Sequence, residues 1–311
     1  MSPLIVAALG GNALLRRGEP ADVATQRANA RQAARALAPV AAQRRLLLTH
    51  GNGPQVGLLA LEREADVGAG HYPLDVLDAE TEGMLGYLIQ QEMANHLPRG
   101  RACVTLITQI EVAADDAAFN APGKPIGPVY SAAQARTIAA TRGWSMLPDG
   151  DGWRRAVASP RPRRVVELGV IAQLLASDTV VVCAGGGGIP VLRDADGQLH
   201  GVEAVIDKDA ASAHLALQLG ATALLLLTDV DALYSDWGRA DARALRSIGS
   251  HELATMQFAA GSMAPKVAAA CEFVEANDGM AAIGRLEDAA ALLRGEAGTR
   301  ILGGQHAACW W

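Results

Sequence analysis

Near its start the chain reads Leu4-Ile5-Val6-Ala7-Ala8-Leu9-Gly10-Gly11-Asn12-Ala13, a run of apolar residues that ends in a glycine-rich turn. The arrangement returns twice: His50-Gly51-Asn52-Gly53-Pro54-Gln55 follows three leucines, and Ala184-Gly185-Gly186-Gly187-Gly188-Ile189-Pro190 follows three valines. A short apolar run bounded by turn residues is typical of a buried strand. Three such strands, separated by longer helical segments, predict a mostly parallel sheet with helices on both faces.

Glycine turns of this kind favour the binding of an anion. A residue without a Cβ atom adopts positive φ at no steric cost, so successive N–H groups can converge on one ligand. A helix that begins after the turn adds the positive end of its dipole. A purely steric role is the alternative for each single turn, because strand-to-helix connections often contain glycine. Three turns together, with isolated lysines nearby, predict phosphate chemistry.

Short leucine-rich or β-branched runs alternate with longer alanine-rich amphipathic segments along the rest of the chain. We predict strands at 4–9, 45–49, 102–110, 179–183, 223–228 and 281–284. We predict helices at 22–42, 54–67, 76–95, 131–141, 165–176, 209–219, 250–255, 264–276 and 287–294.

Region 118–164 interrupts this alternation. It contains six prolines and little long-range apolar periodicity apart from its one predicted helix. Such a stretch inside a compact fold predicts a functional lid or a small protruding subdomain. A plain surface excursion is the alternative.

Composition and charge exclude several classes of function. The 311 residues carry 27 Lys+Arg against 33 Asp+Glu, a net charge of −6, and the pI is about 5.7. This balance gives no overall positive surface for nucleic acid or an anionic membrane. The longest apolar runs fall far short of the ~20 residues that a membrane span requires, and no signal-peptide pattern opens the chain. We therefore expect a cytoplasmic globular protein.

The four cysteines are widely separated and show no metal-ligand spacing. Cys103, Cys183 and Cys271 have apolar neighbours and are expected to be core thiols. Cys309 lies in a tail, 302–311, that also contains a histidine and two tryptophans. We expect an extended segment that packs its aromatic side chains, with a metal site as the alternative.

Lysine is rare in this chain: Lys124, Lys208 and Lys266 stand against 24 arginines. A compact ammonium group contacts a transferring phosphoryl group as a point charge, where a planar guanidinium fits less well. Each lysine lies in a stretch rich in Gly, Pro or Asp, which favours a functional interpretation. Compositional bias that leaves a few surface lysines is the alternative.

Two of these lysines lie at the starts of predicted helices. Lys208 lies in Val205-Ile206-Asp207-Lys208-Asp209-Ala210-Ala211-Ser212. Either Asp207 or Asp209 simply caps that helix, or Lys208 binds phosphate oxygens while Asp209 orients lysines or assists Mg²⁺. Lys266 follows Pro265, a residue suited to a first helical turn, so it could reach phosphates from a helix start. The common nucleotide and zinc-protease signatures, GxxxxGK[ST], GxGxxG and HExxH, are absent from the chain.

Taken together, these and further segments resemble the carbamate kinases of the amino acid kinase family. The similar stretches are 8–14, 51–57, 83–91, 123–128, 163–167, 185–190, 206–212 and 261–266, and they follow the family's order from residue 4 to about residue 301. Lys-Pro-Ile-Gly-Pro at 124–128 and Gly-Asn-Gly-Pro-Gln at 51–55 are the most specific. A generic amino acid kinase would carry a lysine near the first glycine turn. Its absence here is similar to the carbamate kinase variation, in which a lysine of the protruding subdomain, here Lys124, assists instead.

The resemblance implies an α/β fold: a three-layer αβα sandwich with a largely parallel central sheet and a small protruding subdomain. It implies a single domain over 1–311, and a homodimer. A lobe of approximately 1–220, including the lid at 118–164, would bind carbamate or carbamoyl phosphate. A lobe at 221–311 would bind the nucleotide.

The implied reaction is reversible phosphoryl transfer between ATP and carbamate, giving ADP and carbamoyl phosphate, with Mg²⁺ bridging the nucleotide phosphates. The residues that the resemblance assigns fall into three groups. Gly10, Gly11, Asn12, Gly51, Asn52 and Gly53 would bind the substrate; Lys124, Lys208 and Asp209 would be catalytic; Lys208, Asp209, Thr228, Val230, Tyr234, Met263 and Lys266 would contact the nucleotide.

Departures from the family pattern are mild and remove no charged group: Gly123 and Val129 stand where Thr and Phe are frequent, and Asp229 replaces a common glycine. Two alternatives to a carbamate kinase stay open at this point. One is another acyl-phosphate-forming kinase of the same family. The other is an inactive sensor of carbamoyl phosphate, although pure binding would not need all of the retained lysines.

Overall fold

The computed structural model describes residues 2–16, 18–65, 72–239, 241–258 and 263–311. The strands are β1 (Leu4–Leu9), β2 (Arg45–His50), β3 (Cys103–Thr105), β4 (Gln109–Glu111), β5 (Lys124–Tyr130), β6 (Ser145–Asp149), β7 (Gly152–Val157), β8 (Arg164–Val165), β9 (Val180–Val182), β10 (Ile189–Arg193), β11 (Leu199–Gly201), β12 (Ala223–Thr228), β13 (Tyr234–Ser235), β14 (Arg243–Gly249), β15 (Met280–Arg285), β16 (Thr299–Leu302) and β17 (Cys309–Trp310). The α-helices are α1 (Gly11–Leu14), α2 (Val23–Ala41), α3 (Gly53–Ala65), α4 (Leu74–His96), α5 (Ala132–Arg142), α6 (Leu168–Ala176), α7 (Lys208–Gln218), α8 (Ser250–Leu253), α9 (Met263–Ala276) and α10 (Ala289–Arg294).

The main sheet has ten strands in the order β13-β14-β16-β15-β12-β1-β2-β9-β3, with β17 paired to β14. Its central strands are parallel: β1 pairs with β2 and β12, β12 with β15, and β9 with β2 and β3. Antiparallel pairing in this sheet is confined to the pairs β13–β14, β14–β17 and β15–β16 at one side. Because parallel strands end at one edge of a sheet, the three glycine turns after β1, β2 and β9 lie together at that edge.

Helices cover both faces of this sheet, as the alternation along β1 shows. Leu4, Val6 and Ala8 belong to a core that includes residues of α6, α7 and α9. The residues between them, Ile5 and Ala7, belong to a second core with residues of α2, α4 and α10. Successive side chains of a strand point to opposite faces, so the two cores lie on the two sides of the sheet. The predicted three-layer αβα architecture is confirmed. No described helix combines the length and the apolar character needed to cross a membrane.

The proline-rich region folds as a separate three-stranded antiparallel sheet in the order β5-β7-β6. The sequence did not predict these strands, because their apolar residues are few. Gly150, with φ +60°, lies in the short connection between β6 and β7, which suits a tight hairpin. The adjoining helix α5 was predicted, and its ends explain why: Ser131 and Gln134 form a capping box, and Gly143 ends the helix in the left-handed region.

Two predicted elements are wrong in part. The strand predicted at 102–110 is two strands: β3 pairs with β9 in the main sheet, whereas β4 pairs with β8 and β10 in a four-stranded sheet. The main chain leaves the ladder at Thr108, whose N–H donates to the buried carboxylate of Glu82 at 3.1 Å. The helix predicted from residue 165 begins at Leu168, because Val165 pairs with Ile110 as part of a strand. The last two positions of the helix predicted at 54–67, residues 66 and 67, lie outside the described residues.

The tail and the thiols are as expected. Cys309 and Trp310 extend the main sheet as β17, and the guanidinium of Arg243 lies 4.5 Å from the centroid of the Trp310 ring. Cys183 is fully buried in the core. Burial raises the pKa of the Cys103 thiol to about 12, so this group is an inert part of the packing.

The three-stranded sheet is fixed to α3 at a contact between two glycines. A Cβ atom on Gly57 would lie 1.9 Å from Cα and 2.2 Å from N of Gly127 in β5. Next to this contact Ile126 and Val157 are buried in a small core with Val56 of α3. The base of the three-stranded sheet, which carries Lys124, is therefore packed directly against the helix that follows the second glycine turn.

We predict that Gly57→Ala lowers the free energy of unfolding by about 1–3 kcal/mol, because the new methyl group overlaps backbone atoms that cannot rotate away. Urea denaturation measures this change. Gly169→Ala in α6 is the matched control, since a Cβ atom there meets nothing within 4 Å. Equal stability of the two variants would show that the contact at Gly57 is looser than the structure indicates.

Candidate active site

A cleft of about 1270 Å³ opens at the edge of the sheet where the glycine turns lie. It is lined by every predicted site residue whose side chain the structure describes: Gly10, Gly11, Gly51, Asn52, Gly53, Lys124, Lys208, Asp209, Thr228, Val230, Tyr234, Met263 and Lys266. The side chain of the remaining one, Asn12, lies outside the described part of the chain. The fold thus brings together residues that are more than 250 positions apart in sequence.

Asp207 connects the three-stranded sheet to the start of α7. Its Oδ1 atom accepts hydrogen bonds from the N–H groups of Asp209 at 2.9 Å and Ala210 at 3.1 Å, which caps the helix. Its Oδ2 atom accepts from Nζ of Lys124 at 2.9 Å. Of the two aspartates that the sequence offered as caps, Asp207 is the cap, and it also holds the lysine of the subdomain.

Asp209 holds the other two lysines. Its Oδ1 atom is bound by Nζ of Lys208, and its Oδ2 atom by Nζ of Lys266 at 3.2 Å. The Lys208 and Asp209 side chains are only 9% and 5% exposed. Around the start of α7, three ammonium groups therefore face two carboxylates. One positive charge is in excess at the wall of the cleft, which favours a bound anion.

Burial and neighbouring charges shift the pKa values of these groups in different directions. Burial lowers the pKa of the Lys208 ammonium, the nearby Asp209 carboxylate opposes this, and Lys266 acts in the same sense as burial. Burial would raise the pKa of Asp207, but Lys124 and Lys208 outweigh it and hold that pKa well below its ordinary value. Asp207 consequently stays ionised and keeps its hold on Lys124.

The glycines of the first two turns serve close packing as well as access. The N–H groups of Gly10 and Gly51 donate to Leu227 O at 2.9 Å and Leu9 O at 3.1 Å, so the sheet already uses them. A Cβ atom on Gly10 would lie 2.9 Å from Leu227 O. These two N–H groups are therefore not available to an anion, and the steric role predicted as the alternative applies to these two glycines. Any backbone amide offered to an anion must come from the residues that follow them.

The third turn does offer an amide to the cleft. The N–H groups of Gly185, Gly187 and Gly188 donate to Glu82, to Ala184 O and to Gly185 O. Gly186, with φ +70°, lines the cleft, and no described residue accepts from its N–H. This is the arrangement expected for contact with an anion.

A buried polar cluster that sequence reasoning missed lies beneath these turns. Asp78, Thr81 and Glu82 of α4 are each 1% exposed or less, and their i, i+3, i+4 spacing places them on one face of the helix. Burial raises the pKa of Asp78 well above its ordinary value and that of Glu82 to about 8. Burial also lowers the pKa of His50 to about 4, so the imidazole is neutral. The sequence signal that could have revealed this cluster is the presence of three polar residues at helical spacing inside an apolar face.

The three-stranded sheet contributes a further charged pair to the cleft, Arg154 and Asp149. Nε of Arg154 donates to Gly127 O at 2.8 Å, and its Nη1 lies 3.5 Å from Oδ2 of Asp149. No sequence pattern indicates this pair, because the pairing of β6 with β7 decides where Arg154 points.

Aromatic and other apolar side chains line another part of the same cleft. The rings of Tyr234 and Trp237 meet edge to face with centroids 5.0 Å apart. Tyr234 donates its hydroxyl hydrogen to Asp231 at 3.1 Å. Val230, Phe258 and Met263 add apolar surface there. A cleft that combines lysines with an apolar, aromatic part suits a ligand that has phosphates and a flat base.

Comparison with known proteins agrees with this geometry. The model of the amino acid kinase family matches residues 3–283. Carbamate kinase of Rhizobium meliloti (strain 1021) is 50% identical over 299 residues, 96% of this chain and 92% of that protein. Carbamate kinase of Escherichia coli (strain K12) is 47% identical over 297 residues, 96% of this chain and 98% of that protein.

Solved structures give the same answer. Carbamate kinase from Giardia lamblia bound to AMP-PNP superimposes with a TM-score of 0.87 at 41% identity, over 97% of this chain and 99% of that one. The same enzyme bound to citric acid gives a TM-score of 0.90 at 40% identity, over 97% and 99%. Family model, near-complete sequence matches and structural matches all agree with the lysines and glycine turns found in the cleft. The chain therefore belongs to the amino acid kinase family and, within it, to the carbamate kinases.

Proposed function

We propose that this chain transfers a phosphoryl group reversibly between ATP and carbamate, giving ADP and carbamoyl phosphate. The observation that carries the proposal is the set of lysines around α7, in which Lys208 and Lys266 share Asp209 while Lys124 is held by Asp207. Phosphoryl transfer depends on alignment and charge neutralisation more than on covalent chemistry. The fixed ammonium groups supply both, and no nucleophilic side chain is required.

Each element of the cleft has a defined part in this proposal. The turns at 10–12 and 51–53 bind the carbamate end, and Gly186 adds one N–H. Lys124 and Lys208 neutralise the transferred phosphoryl group. Asp209 orients Lys208 and Lys266, because each of its two oxygens binds one of them. Because Lys208 is almost fully buried, its position does not depend on solvent, and its charge acts in a medium of low dielectric. Thr228, Val230, Tyr234, Met263 and Lys266 contact the nucleotide, which agrees with the AMP-PNP bound by the Giardia relative.

Kinases that use ATP require a divalent cation, and we propose Mg²⁺ here. Asp209 has both oxygens bound by lysines, and Asp207 has one oxygen bound by backbone N–H groups and the other by Lys124. Among the residues that the structure describes, no group of three or more His, Cys, Asp or Glu is arranged to hold a metal. These donors fit an ion held chiefly by nucleotide phosphates and water, as Mg²⁺ commonly is. Bound in this way, the ion would neutralise part of the phosphate charge.

We propose that 1–220 forms the carbamate lobe and 221–311 the nucleotide lobe, and that the three-stranded sheet within 118–164 acts as a lid. The contact between Gly57 and Gly127 fixes the base of this sheet. Closure is therefore expected in its outer part, where Val129 is 58% exposed and Arg154 faces the cleft. Such closure would exclude water from a labile acyl phosphate.

We also propose a homodimer. Tyr87 of α4 and Ile107 are about half exposed, and Ile107 lies against α4, with its Cδ1 atom 3.6 Å from where a Cβ atom of Gly83 would be. An apolar patch of this kind suits a second copy of the chain. Light scattering of the purified protein measures the mass of the assembly.

The free cysteines agree with a cytoplasmic setting, where thiols stay reduced.

The decisive experiment is ATP formation from ADP and carbamoyl phosphate by the purified chain, with acetylglutamate and aspartate tested as alternative acceptors in the ATP-consuming direction.

We predict that Lys208→Ala lowers turnover by on the order of 10²-fold or more, since one preorganised charge is lost. The fold should survive, because Lys266 still pairs with Asp209. Arg294→Ala at the end of α10, where the side chain is 57% exposed, is the control. Normal turnover by a folded Lys208→Ala variant would contradict the assignment, and binding without turnover by the native chain would favour the sensor.

Lys124→Arg is predicted to fail nearly as badly as Lys124→Ala, although it preserves the charge. The ammonium group is held at 2.9 Å from Asp207, and a longer planar group displaces the charge. A misplacement of ~1 Å at such a site can cost ~10²-fold in rate. Steady-state kinetics measure the loss of turnover in both variants. Substantial rescue by arginine would mean that Lys124 acts only through long-range electrostatics.

Closure of the lid predicts slower hydrogen exchange in 128–156 when ADP and carbamoyl phosphate are added. Mass spectrometry of peptides from this region measures the protection. Peptides from residues 289–294 of α10 serve as the internal reference, because none of these residues lines the cleft. Equal exchange in 128–156 with and without ligands would argue against a lid.

A further inference from the structure

The carboxamide of Asn52 is held in one orientation by helix α4. Its Nδ2 atom lies 2.9 Å from Oδ1 of Asp78 and 2.8 Å from Oγ1 of Thr81. All three residues are 1% exposed or less. An amide nitrogen has two hydrogens, so both are used within the protein.

Thr81 can only accept from Asn52, and this holds whichever oxygen of Asp78 carries a proton. Oγ1 of Thr81 lies 3.0 Å from the carbonyl oxygens of both Leu77 and Asp78, so its own hydrogen is donated within α4. Oδ2 of Asp78 is buried and has no partner among the described residues, and burial raises the pKa of this carboxyl. A proton on Oδ2 leaves Oδ1 free to accept, as does the ionised form. Reversing the Asn52 amide would place its oxygen against Oγ1 of Thr81, which has no hydrogen left to donate.

The oxygen of Asn52 therefore remains for the cleft. Asn52 lines the cleft, and within the described part of the chain no group donates to its Oδ1. Gly186 keeps this atom accessible, since a Cβ atom there would lie 2.6 Å from Oδ1 and 2.2 Å from Nδ2. Only glycine at this position leaves room for the amide and for a ligand beside it.

The oxygen of Asn52 differs from its neighbours in the cleft. The carboxylates of Asp207 and Asp209 already accept from lysines and from helix N–H groups. The side chains of Lys124, Lys208 and Lys266 and the N–H of Gly186 are all donors, which suit carboxylate and phosphate oxygens. Carbamate differs from acetate, and carbamoyl phosphate from acetyl phosphate, in carrying NH₂ in place of CH₃. The amino group has hydrogens that need an acceptor, and the methyl group does not.

We propose that Oδ1 of Asn52 accepts a hydrogen bond from the amino group of carbamate, and that Asp78 and Thr81 are positioning residues that fix this acceptor. The inference rests on the proposed function and deepens it, because it names the atom that distinguishes an amino from a methyl substituent. A buried acceptor that faces a methyl group stays unpaired, so the site disfavours the analogue.

The test compares kcat/KM for ATP formation from ADP with carbamoyl phosphate and with acetyl phosphate. Thr81→Val has the same shape but no acceptor for Asn52, and Thr81→Ser keeps the hydroxyl as the matched control. We expect the ratio of the two kcat/KM values to fall about tenfold in Thr81→Val and to stay near the native value in Thr81→Ser. Affinity for ADP, followed by the fluorescence of exposed Trp237, should be equal in both variants, whereas a general loss of structure would change it.

Asp78→Asn is the second variant, and it decides the case if Thr81→Val does not fold. Its amide can donate to Asn52, which permits the reversed orientation, so the same fall in ratio is expected. An unchanged ratio in the folded variants, or an equal fall in Thr81→Ser, would overturn the inference while leaving the proposed function intact. A native chain that forms no ATP from carbamoyl phosphate would overturn both.

Discussion

The geometry of the cleft depends on the ion-paired turn at the start of α7. Asp207 caps the helix through one oxygen and holds Lys124 through the other, and the next two residues form a buried pair of opposite charge. Moving such a pair out of water is costly, and it is stable only where further partners satisfy it. Here the helix N-terminus and Lys266 are those partners. The same contacts that offset the burial of charge also fix the positions of all three ammonium groups.

A second constraint lies beneath the glycine turns. Helix α4 lies against these turns, and its Asp78, Thr81 and Glu82 side chains face them. Each of the three accepts a hydrogen bond from a turn residue. Glu82 accepts from Gly185 N–H at 2.8 Å and from Thr108 N–H at 3.1 Å. This carboxyl therefore links the third turn to the point where strands β3 and β4 diverge. The shape of this part of the cleft is set by buried polar groups that do not themselves line it.

The two constraints act on different groups of the cleft. The α7 turn places positive charge, and the α4 cluster places the backbone turns and one amide. The three-stranded sheet joins them, because its base packs on α3 at Gly57 while its Lys124 reaches Asp207. A small displacement of that sheet would alter both the packing against α3 and the position of Lys124.

The sequence by itself determined the layered α/β architecture, the glycine turns at strand ends and the three lysines, because periodicity, turn chemistry and rare residues are local. Resemblance to the carbamate kinases supplied the roles proposed for them. Tertiary structure alone decided that Asp207 is the shared anchor, that the apolar stretch 102–110 divides between two sheets, and that Asp78 and Thr81 orient Asn52. Each of these depends on side chains far apart in the chain meeting in a buried place. There the cost of an unpaired polar group selects one arrangement, and no local pattern records that cost.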